Sequence, residues 1–327
     1  MSLYLVSGGA GFIGSHIAHA LVARGDRVRV LDNLVTGTLT NLEPLDVGEP
    51  GVGSAVEFQQ GSITDPDACR AAIEGVQGVF HEAAQVSVPA SVADPLGSYD
   101  VNVRGTHNLL EAARAAGVQR FVFAASSAAY GESPELPKHE GMMPQPCSPY
   151  ASGKVAAEHL LEVYARCFQM QTVSLRYFNV FGPHQADDSP YTGVIAIFAR
   201  ALLEGRAPTI HGDGEQTRDF TFVDNVVQAT LSAMDTPPAG QGVIINVGGG
   251  ERISLNQLHQ AMAQGLGVEI EPQYGEARRG DVRHSLADLS RARDLLGYVP
   301  RVGWREGLQR TLEWYKQTLA TDTGSEA

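Results

Sequence analysis

Residues 3–32 read LYLVSGGAGFIGSHIAHALVARGDRVRVLD: a β-like run, a glycine-rich turn, a helical stretch and a second β-like run. No other segment narrows the possible folds as much. A strand that turns directly into a helix and returns as a neighbouring strand is a βαβ unit, with parallel strands and a right-handed crossover. Gly9, Gly11 and Gly14 satisfy G-x-G-x-x-G, and Gly8 adds a fourth glycine. Such glycines let a pyrophosphate approach the backbone and rest on the positive N-terminus of the helix. Asp32 follows Gly14 by 18 residues, at the tip of the second strand. There its carboxylate can take ribose hydroxyls and would repel a 2′-phosphate. Asn33, rather than an arginine, comes next. The context predicts a dinucleotide site for NAD rather than NADP. The plainer alternative is a turn that merely packs a helix on a sheet.

The rhythm continues along the chain. Runs 56–60, 78–84, 120–126 and 172–180 are β-like, and several are almost continuously apolar, as strands covered on both faces are. Helical periodicity occupies 12–24, 65–74, 98–116 and 149–168, with Gly117 placed to end the third of these. This alternation predicts an α/β fold, a doubly wound parallel Rossmann sheet. Beyond residue 180 it lapses. A loop at 182–193 leads to helices near 194–205, 224–234, 254–265, 287–296 and 303–319, with a strand in GVIINVGG and a frayed tail, TDTGSEA. The expected division is a NAD-binding domain over 1–180, to which segments near 220–247 return, and a smaller, interleaved substrate-binding lobe over 181–327.

The chain has 327 residues, 43% apolar and 19% charged, enough for a sizeable core. Its net charge of −13, without any lysine/arginine cluster, argues against a nucleic-acid partner. No apolar run approaches the roughly 18 residues that span a bilayer. The N-terminus lacks the basic segment of a signal peptide, so a cytoplasmic protein with no membrane partner is expected. Cys69, Cys147 and Cys167 are too few and too scattered for a disulfide framework or a zinc site, and the histidines show no metal spacing. His81, at a strand end, reads as a core or cofactor-lining residue.

SPYASGKVAAEHLL, residues 148–161, starts a helix. Ser148 can cap it, Pro149 suits its first position, and Tyr150 and Lys154 lie four apart on one face. In isolation such a pair is an ordinary solvated helix face. Here the preceding strand ends in Ser126 and Ser127, at the carboxyl edge where doubly wound sheets bind ligands. Serine, tyrosine and lysine can converge there beside a nicotinamide. Tyrosine ionises near pH 10 in water, and Lys154 and a cationic nicotinamide are expected to favour the phenolate. Tyr150 could then take a proton from a secondary alcohol as hydride leaves its carbon, with Ser126 hydrogen-bonded to the reacting oxygen.

Gly8-x-x-Gly11-x-x-Gly14, the strand-end serine and Tyr150-x-x-x-Lys154 resemble the extended short-chain dehydrogenase/reductase family. SLRYFNVFGP, GDGEQTRDFTFVDN and RRGDVRHSLADLSRARDLLGY resemble its nucleotide-sugar branch, the UDP-hexose 4-epimerases, over nearly the whole chain. The C-terminal part is similar to UDP-N-acetylglucosamine 4-epimerases. The resemblance implies a catalytic triad of Ser126, Tyr150 and Lys154, with Ser127 as an auxiliary hydroxyl. Around NAD it implies Gly8, Gly11, Phe12, Ile13, Gly14, Asp32 and Asn33, then Ser62, Ile63, Ala83, Ala84, Gln85, Asn102 and Tyr177, with Tyr150 and Lys154. Ser62 departs from the aspartate that usually meets the adenine. On the UDP-sugar it implies Ser87, Ser126 and Ser127, with Asn179 on a phosphate and Gly193 and Val194 at the uracil. Arg218, Arg278 and Asp281 are implied at the pyrophosphate and ribose, and a paired-arginine clamp suits a diphosphate.

Dehydratases of this branch carry acid and base after the catalytic strand, whereas Ser127, Ala128 and Ala129 include no carboxylate. The implied reaction is therefore C4 epimerisation of a UDP-hexose through a 4-keto sugar. Ser285 stands where a tyrosine narrows the sugar pocket of epimerases restricted to glucose and galactose. That implies UDP-GlcNAc/UDP-GalNAc as substrates, with UDP-Glc/UDP-Gal also accepted. A UDP-glucuronate 4-epimerase is an alternative that would need a partner for the C6 carboxylate. A non-catalytic NAD-binding sensor is another, and it would have no use for a general base. Dimeric relatives pair the helices matching 98–116 and 149–168, so a homodimer is expected.

Overall fold

A computed structural model describes residues 1–186, 193–236, 242–277 and 283–324 of the chain. Eight strands form one sheet: β1 (Leu3–Ser7), β2 (Arg27–Asp32), β3 (Val47–Gly48), β4 (Val56–Gln60), β5 (Gly78–His81), β6 (Arg120–Ser126), β7 (Gln171–Tyr177) and β8 (Val243–Val247). Their order is β8-β7-β6-β5-β1-β2-β4-β3, and every pairing is parallel. From β1 the chain winds outward on one side, returns to β5 on the other side of β1, and winds outward again. The winding reverses between β1 and β5. A crevice opens there above the carboxyl ends of the strands, where sheets of this kind bind ligands.

The helices are α1 (Phe12–Ala23), α2 (Pro66–Ile73), α3 (Val88–Ala93), α4 (Pro95–Tyr99), α5 (Thr106–Ala115), α6 (Pro149–Phe168), α7 (Val194–Leu203), α8 (Val223–Asp235), α9 (Leu255–Leu266), α10 (Ser290–Leu296) and α11 (Trp304–Gly324). A parallel sheet must be covered on both faces, and alternation along its strands supplies the two cores. Phe121, Phe123 and Ala125 of β6 join residues of α2, α5 and α6 on one face. Val122 and Ala124 join α1 and α8 on the other. Full burial of Phe121 and Phe123 is worth about 2–3 kcal/mol each before entropy is counted. A third core, with Phe181, Phe198, Phe222, Leu258 and Tyr315, lies outside the sheet and is built by α7, α9 and α11.

The structure adds α3 and β3 to the expected elements and alters four of them. The run 172–180 is not one strand: β7 stops at Tyr177 and Asn179 takes a φ of 25°. That turn carries Val180–Phe181 out of the large sheet to pair with Thr221–Phe222. The stretch 98–116 is not one α-helix, because a π-helical turn, Asp100–Gly105, separates α4 from α5. Gly105 suits this turn, since a Cβ there would lie 2.7 Å from the Ile63 side chain. β5 ends at His81, not at 84, and α11 runs on to Gly324 where fraying from 321 was expected.

Candidate active site

A cavity of about 440 Å³ occupies the crevice at the β1/β5 reversal. Gly8, Gly11, Phe12, Ile13 and Gly14 form one wall. Asp32, Asn33, Ser62 and Ile63 line it from the β2 and β4 side, and Ala83, Ala84 and Ser87 from the end of β5. Gly8 has a φ of 73°, and a Cβ there would stand 2.6 Å from the Ala83 amide nitrogen. A Cβ on Gly14 would stand 2.1 Å from the Gly8 carbonyl oxygen. Only glycine lets the turn, the helix and the neighbouring strand come this close. Gly11 begins α1 with no side-chain cap and no acidic residue in the first turn, so the opening amides remain for an anion.

Asp32 accepts from Ala10 N at 3.0 Å through Oδ2 and from Leu34 N at 2.8 Å through Oδ1. A carboxylate keeps further lone pairs for a ribose. Asn33 accepts from Val35 N, and Ser62 Oγ lies 2.8 Å from Thr64 Oγ1. A cradle without side chains at a helix N-terminus, followed by a carboxylate, fits a dinucleotide.

Five expected cofactor residues, Gln85, Asn102, Tyr150, Lys154 and Tyr177, are not on the lining of this cavity. Asn102 holds the backbone of Gln85 reciprocally: its Oδ1 accepts from Gln85 N and its Nδ2 donates to Gln85 O, both at 2.9 Å. The pair fixes the chain leaving β5. Gly153 allows α6 to approach, as its Cβ position is 3.2 Å from the Asn102 Cβ. Tyr177 turns its hydroxyl to Glu82 Oε1 at 3.0 Å. His81 is fully buried between Ser7 Oγ (2.7 Å) and Thr106 Oγ1 (2.9 Å). Thr106 donates to Asn102 O, so it accepts from His81 Nε2–H, and burial holds the ring neutral with its pKa pulled down to about 3. His81 is a core residue.

Ser148 caps α6 by accepting from Ala151 N at 3.1 Å, and Pro149 opens the helix. Tyr150 N donates to Ser91 Oγ at 3.1 Å, and against its burial Ser126 lowers the pKa of the Tyr150 phenol. Ser126 also accepts from Ala128 N. Lys154, 3% exposed, donates from Nζ to Ala124 O at 2.7 Å and lies 4.8 Å above the Phe123 ring. Burial pulls its ammonium down to about 8, against the raising influence of Glu82 and Glu158.

The protein alone does not supply the acidification of Tyr150 that Lys154 and a cationic nicotinamide together are expected to give. Burial raises the phenol above its ordinary value, and Ser126 opposes that rise. Lys154 Nζ is 6.0 Å from the Tyr150 ring centroid and turned to a carbonyl, so desolvation prevails.

Of the residues expected at the UDP-sugar, Asn179 Nδ2 donates to Asp219 O at 3.1 Å and to Ser285 Oγ at 3.4 Å, joining residues 106 apart in sequence. Arg218 Nη1 donates to Thr217 O at 3.0 Å. Gly193 starts α7 uncapped and lies on the cavity wall, followed by half-buried Val194. Ser87 Oγ accepts from Ala90 N. Ser127 opens a 3-10 turn, Ser127–Tyr130, that carries no carboxylate. Arg278 and Asp281 lie outside the described residues.

Two carboxylates escaped the sequence reading. Glu82 lines the cavity, and burial pushes its carboxyl up to about 7 against the lowering influence of Tyr177 and Lys154. The signal was an acid closing the apolar run GVFHEAA. Asp219, fully buried, accepts from Gly249 N at 2.7 Å and Ala287 N at 3.0 Å, tying together the segments behind Asn179 and Ser285. Burial pushes it up to about 6 despite these bonds. Among the described residues, no helix is long and apolar enough to cross a membrane, and no cluster of His, Cys, Asp and Glu could hold a metal ion.

Residues 4–248 match the NAD dependent epimerase/dehydratase family. The chain is 42% identical over 314 residues to a UDP-glucose 4-epimerase of Mycolicibacterium smegmatis, covering 95% of this chain and 98% of that one. Its fold is similar to the UDP-N-acetylglucosamine 4-epimerase of Methanobrevibacter ruminantium in complex with UDP-N-acetylmuramic acid, with a TM-score of 0.90, 36% identity and coverage of 97% and 99%. It is equally similar to the UDP-glucose 4-epimerase of Thermotoga maritima with UDP-glucose, with a TM-score of 0.90, 38% identity and coverage of 97% and 99%. With a glycine cradle, a strand-end serine and the Tyr150/Lys154 pair all gathered at one sheet edge, the chain belongs to the NAD-dependent epimerase/dehydratase family.

Proposed function

We propose that this chain is a UDP-hexose 4-epimerase that works through a 4-keto sugar on tightly held NAD. One observation carries the reading: strand-end Ser126 acts on the buried Tyr150 phenol beside buried Lys154, while the following turn, Ser127–Tyr130, supplies no acid or base for dehydration. Bound NAD supplies a reversible hydride acceptor whose cationic ring offsets the burial that raises Tyr150. Tyr150 takes the C4 hydroxyl proton and Ser126 holds the oxygen. The sugar, anchored through its diphosphate by Asn179 and the Arg218 region, turns over, and Tyr150 returns the proton to the opposite face.

The substrate class is UDP-GlcNAc/UDP-GalNAc, with UDP-Glc/UDP-Gal also accepted. Ser285 supports this, since its small side chain touches Asn179 where a phenol would fill the sugar space. The similarity to both kinds of epimerase agrees with a roomy pocket. Incubation with each UDP-hexose without added NAD, followed by NMR, tests the reading. Interconversion at C4 is expected for the N-acetylated pair and for UDP-Glc/UDP-Gal. No conversion despite bound NAD would refute it in favour of a sensor.

The division into a cofactor domain over 1–180 and a substrate lobe over 181–327 draws support from β8 and α8, which return to the large sheet. We assign the protein to the cytoplasm and pair it as a homodimer through the segments 98–116 and 149–168, the second of which exposes Val163 and Phe168 by 50% and 43%. Light scattering should give twice the chain mass, and a monomer would refute the pairing.

A further inference from the structure

Glu82 ends a chain of oxygens that holds more contacts than its neighbours have protons. Tyr177 Oη lies 3.0 Å from Glu82 Oε1 and 2.9 Å from Thr230 Oγ1, and Thr230 Oγ1 lies 2.8 Å from Val226 O. Three oxygen–oxygen contacts need three protons, whereas Tyr177 and Thr230 have one each and a backbone carbonyl has none. The count closes if Glu82 is a carboxylic acid donating to Tyr177, which donates to Thr230, which donates to Val226. With a carboxylate, one contact must lose its proton. Hydroxyl groups reverse such a chain by rotation.

Location gives this acid a task. Glu82 lines the cofactor cavity and raises the pKa of Lys154 electrostatically, so in charge terms it lies between that cavity and the lysine of the Tyr150/Lys154 pair. The groups around it are few. Lys154 on α6 is cationic, while Tyr177 on β7 and Thr230 on α8 are hydroxyls. His81 on β5 is neutral and turned to Ser7 and Thr106. Asp32 and His184 line the same cavity, and burial beside His16 and His19 keeps His184 uncharged near neutrality, with its pKa at about 4.

We propose that Glu82 is a proton-holding counter-charge for the redox ring: an acid when the ring is neutral, a carboxylate when the ring is cationic. This rests on reading the cavity as the NAD site. A cationic ring favours the carboxylate, and one proton leaves to solvent. When the ring gains a hydride and loses its charge, the carboxylate takes one proton back from solvent. The acid thereby lessens the change of charge in a buried site, and its pKa, raised to about 7 by burial, lets it do so near neutrality.

Reduced-minus-oxidised infrared difference spectra of the NAD-loaded protein test this, with borohydride as the reductant and near-neutral buffer. In the wild type a protonated-carboxyl C=O stretch should appear on reduction, and it should be missing in Glu82→Gln. In Tyr177→Phe the band should persist but shift, because the carboxyl remains and its acceptor is gone. Glu82→Gln should also weaken NAD relative to NADH about tenfold near pH 8, where the wild-type carboxylate is formed. No carboxyl band in the wild type, or the same band in Glu82→Gln, would overturn the proposal, as would an unchanged NAD/NADH preference in a folded Glu82→Gln. Should Glu82→Gln fail to fold, the wild-type and Tyr177→Phe spectra decide. A protein that takes up neither NAD nor NADH would overturn the cofactor reading itself.

Discussion

Replacing Glu158 with glutamine should both loosen the fold and shift the chemistry. Glu158 sits one turn beyond Lys154 on α6 and grips Arg176 of β7 with two hydrogen bonds, of 2.8 and 2.7 Å. Both side chains are only 1% exposed. The pair therefore joins the catalytic helix to the sheet in a setting with almost no solvent. Glutamine keeps the shape and one acceptor but removes the charge. Arg176 cannot shed its proton, so the variant contains a buried cation without a counter-ion. Breaking one side of such a pair costs about 3–5 kcal/mol, against a total stability of about 5–15 kcal/mol.

The assay is denaturant unfolding of four proteins: wild type, E158Q, R176Q and the double variant. Because the double variant carries no orphan charge, its loss should fall short of the sum by about 2 kcal/mol or more. Activity provides a second reading. The Glu158 charge helps hold Lys154 up against burial, so E158Q should move the lysine below its present value of about 8. The alkaline fall in kcat would then begin at lower pH. A loss below about 1 kcal/mol together with an unmoved alkaline limb would refute the reasoning.

Tyr150→Phe should lower kcat by about 10²–10⁴-fold while bound NAD is retained, measured by product NMR and cofactor absorbance. Ser285→Tyr should suppress turnover of the N-acetylated sugars and spare UDP-Gal; equal loss on both would remove the gate assignment. Gly14→Ala drives a Cβ against the Gly8 carbonyl and should weaken NAD binding about tenfold or more by calorimetry, about 1.4 kcal/mol. His81 has its pKa lowered from 6.5 to about 3 in the folded protein, so the unfolded chain binds the proton more readily. That stability is fully present above pH 6.5 and is lost progressively as pH falls towards 3, by roughly 3–5 kcal/mol. His81→Gln should flatten this part of the acid unfolding curve.

What the sequence determined by itself was local or periodic. The glycine turn, the Ser148–Pro149 start of α6, the end of α5 at Gly117 with its φ of 74° and the strand–helix alternation all depend on residues within a few positions of one another. Steric freedom, capping and hydrophobic period act at that range, and they sufficed for the fold class and for the side of the sheet where a ligand belongs. Tertiary structure decided what happens once charges and hydroxyls are buried. Glu82 meets Tyr177 across 95 residues, and Asn179 meets Ser285 across 106. Val243–Val247 enters the large sheet beside β7, and Asn102 grips a backbone rather than facing the cavity. Whether Tyr150 is acidified or the reverse depends on how much water its neighbours exclude and where Lys154 points. Desolvation and electrostatics are properties of an assembled environment, and distant segments have to pack before either has a sign.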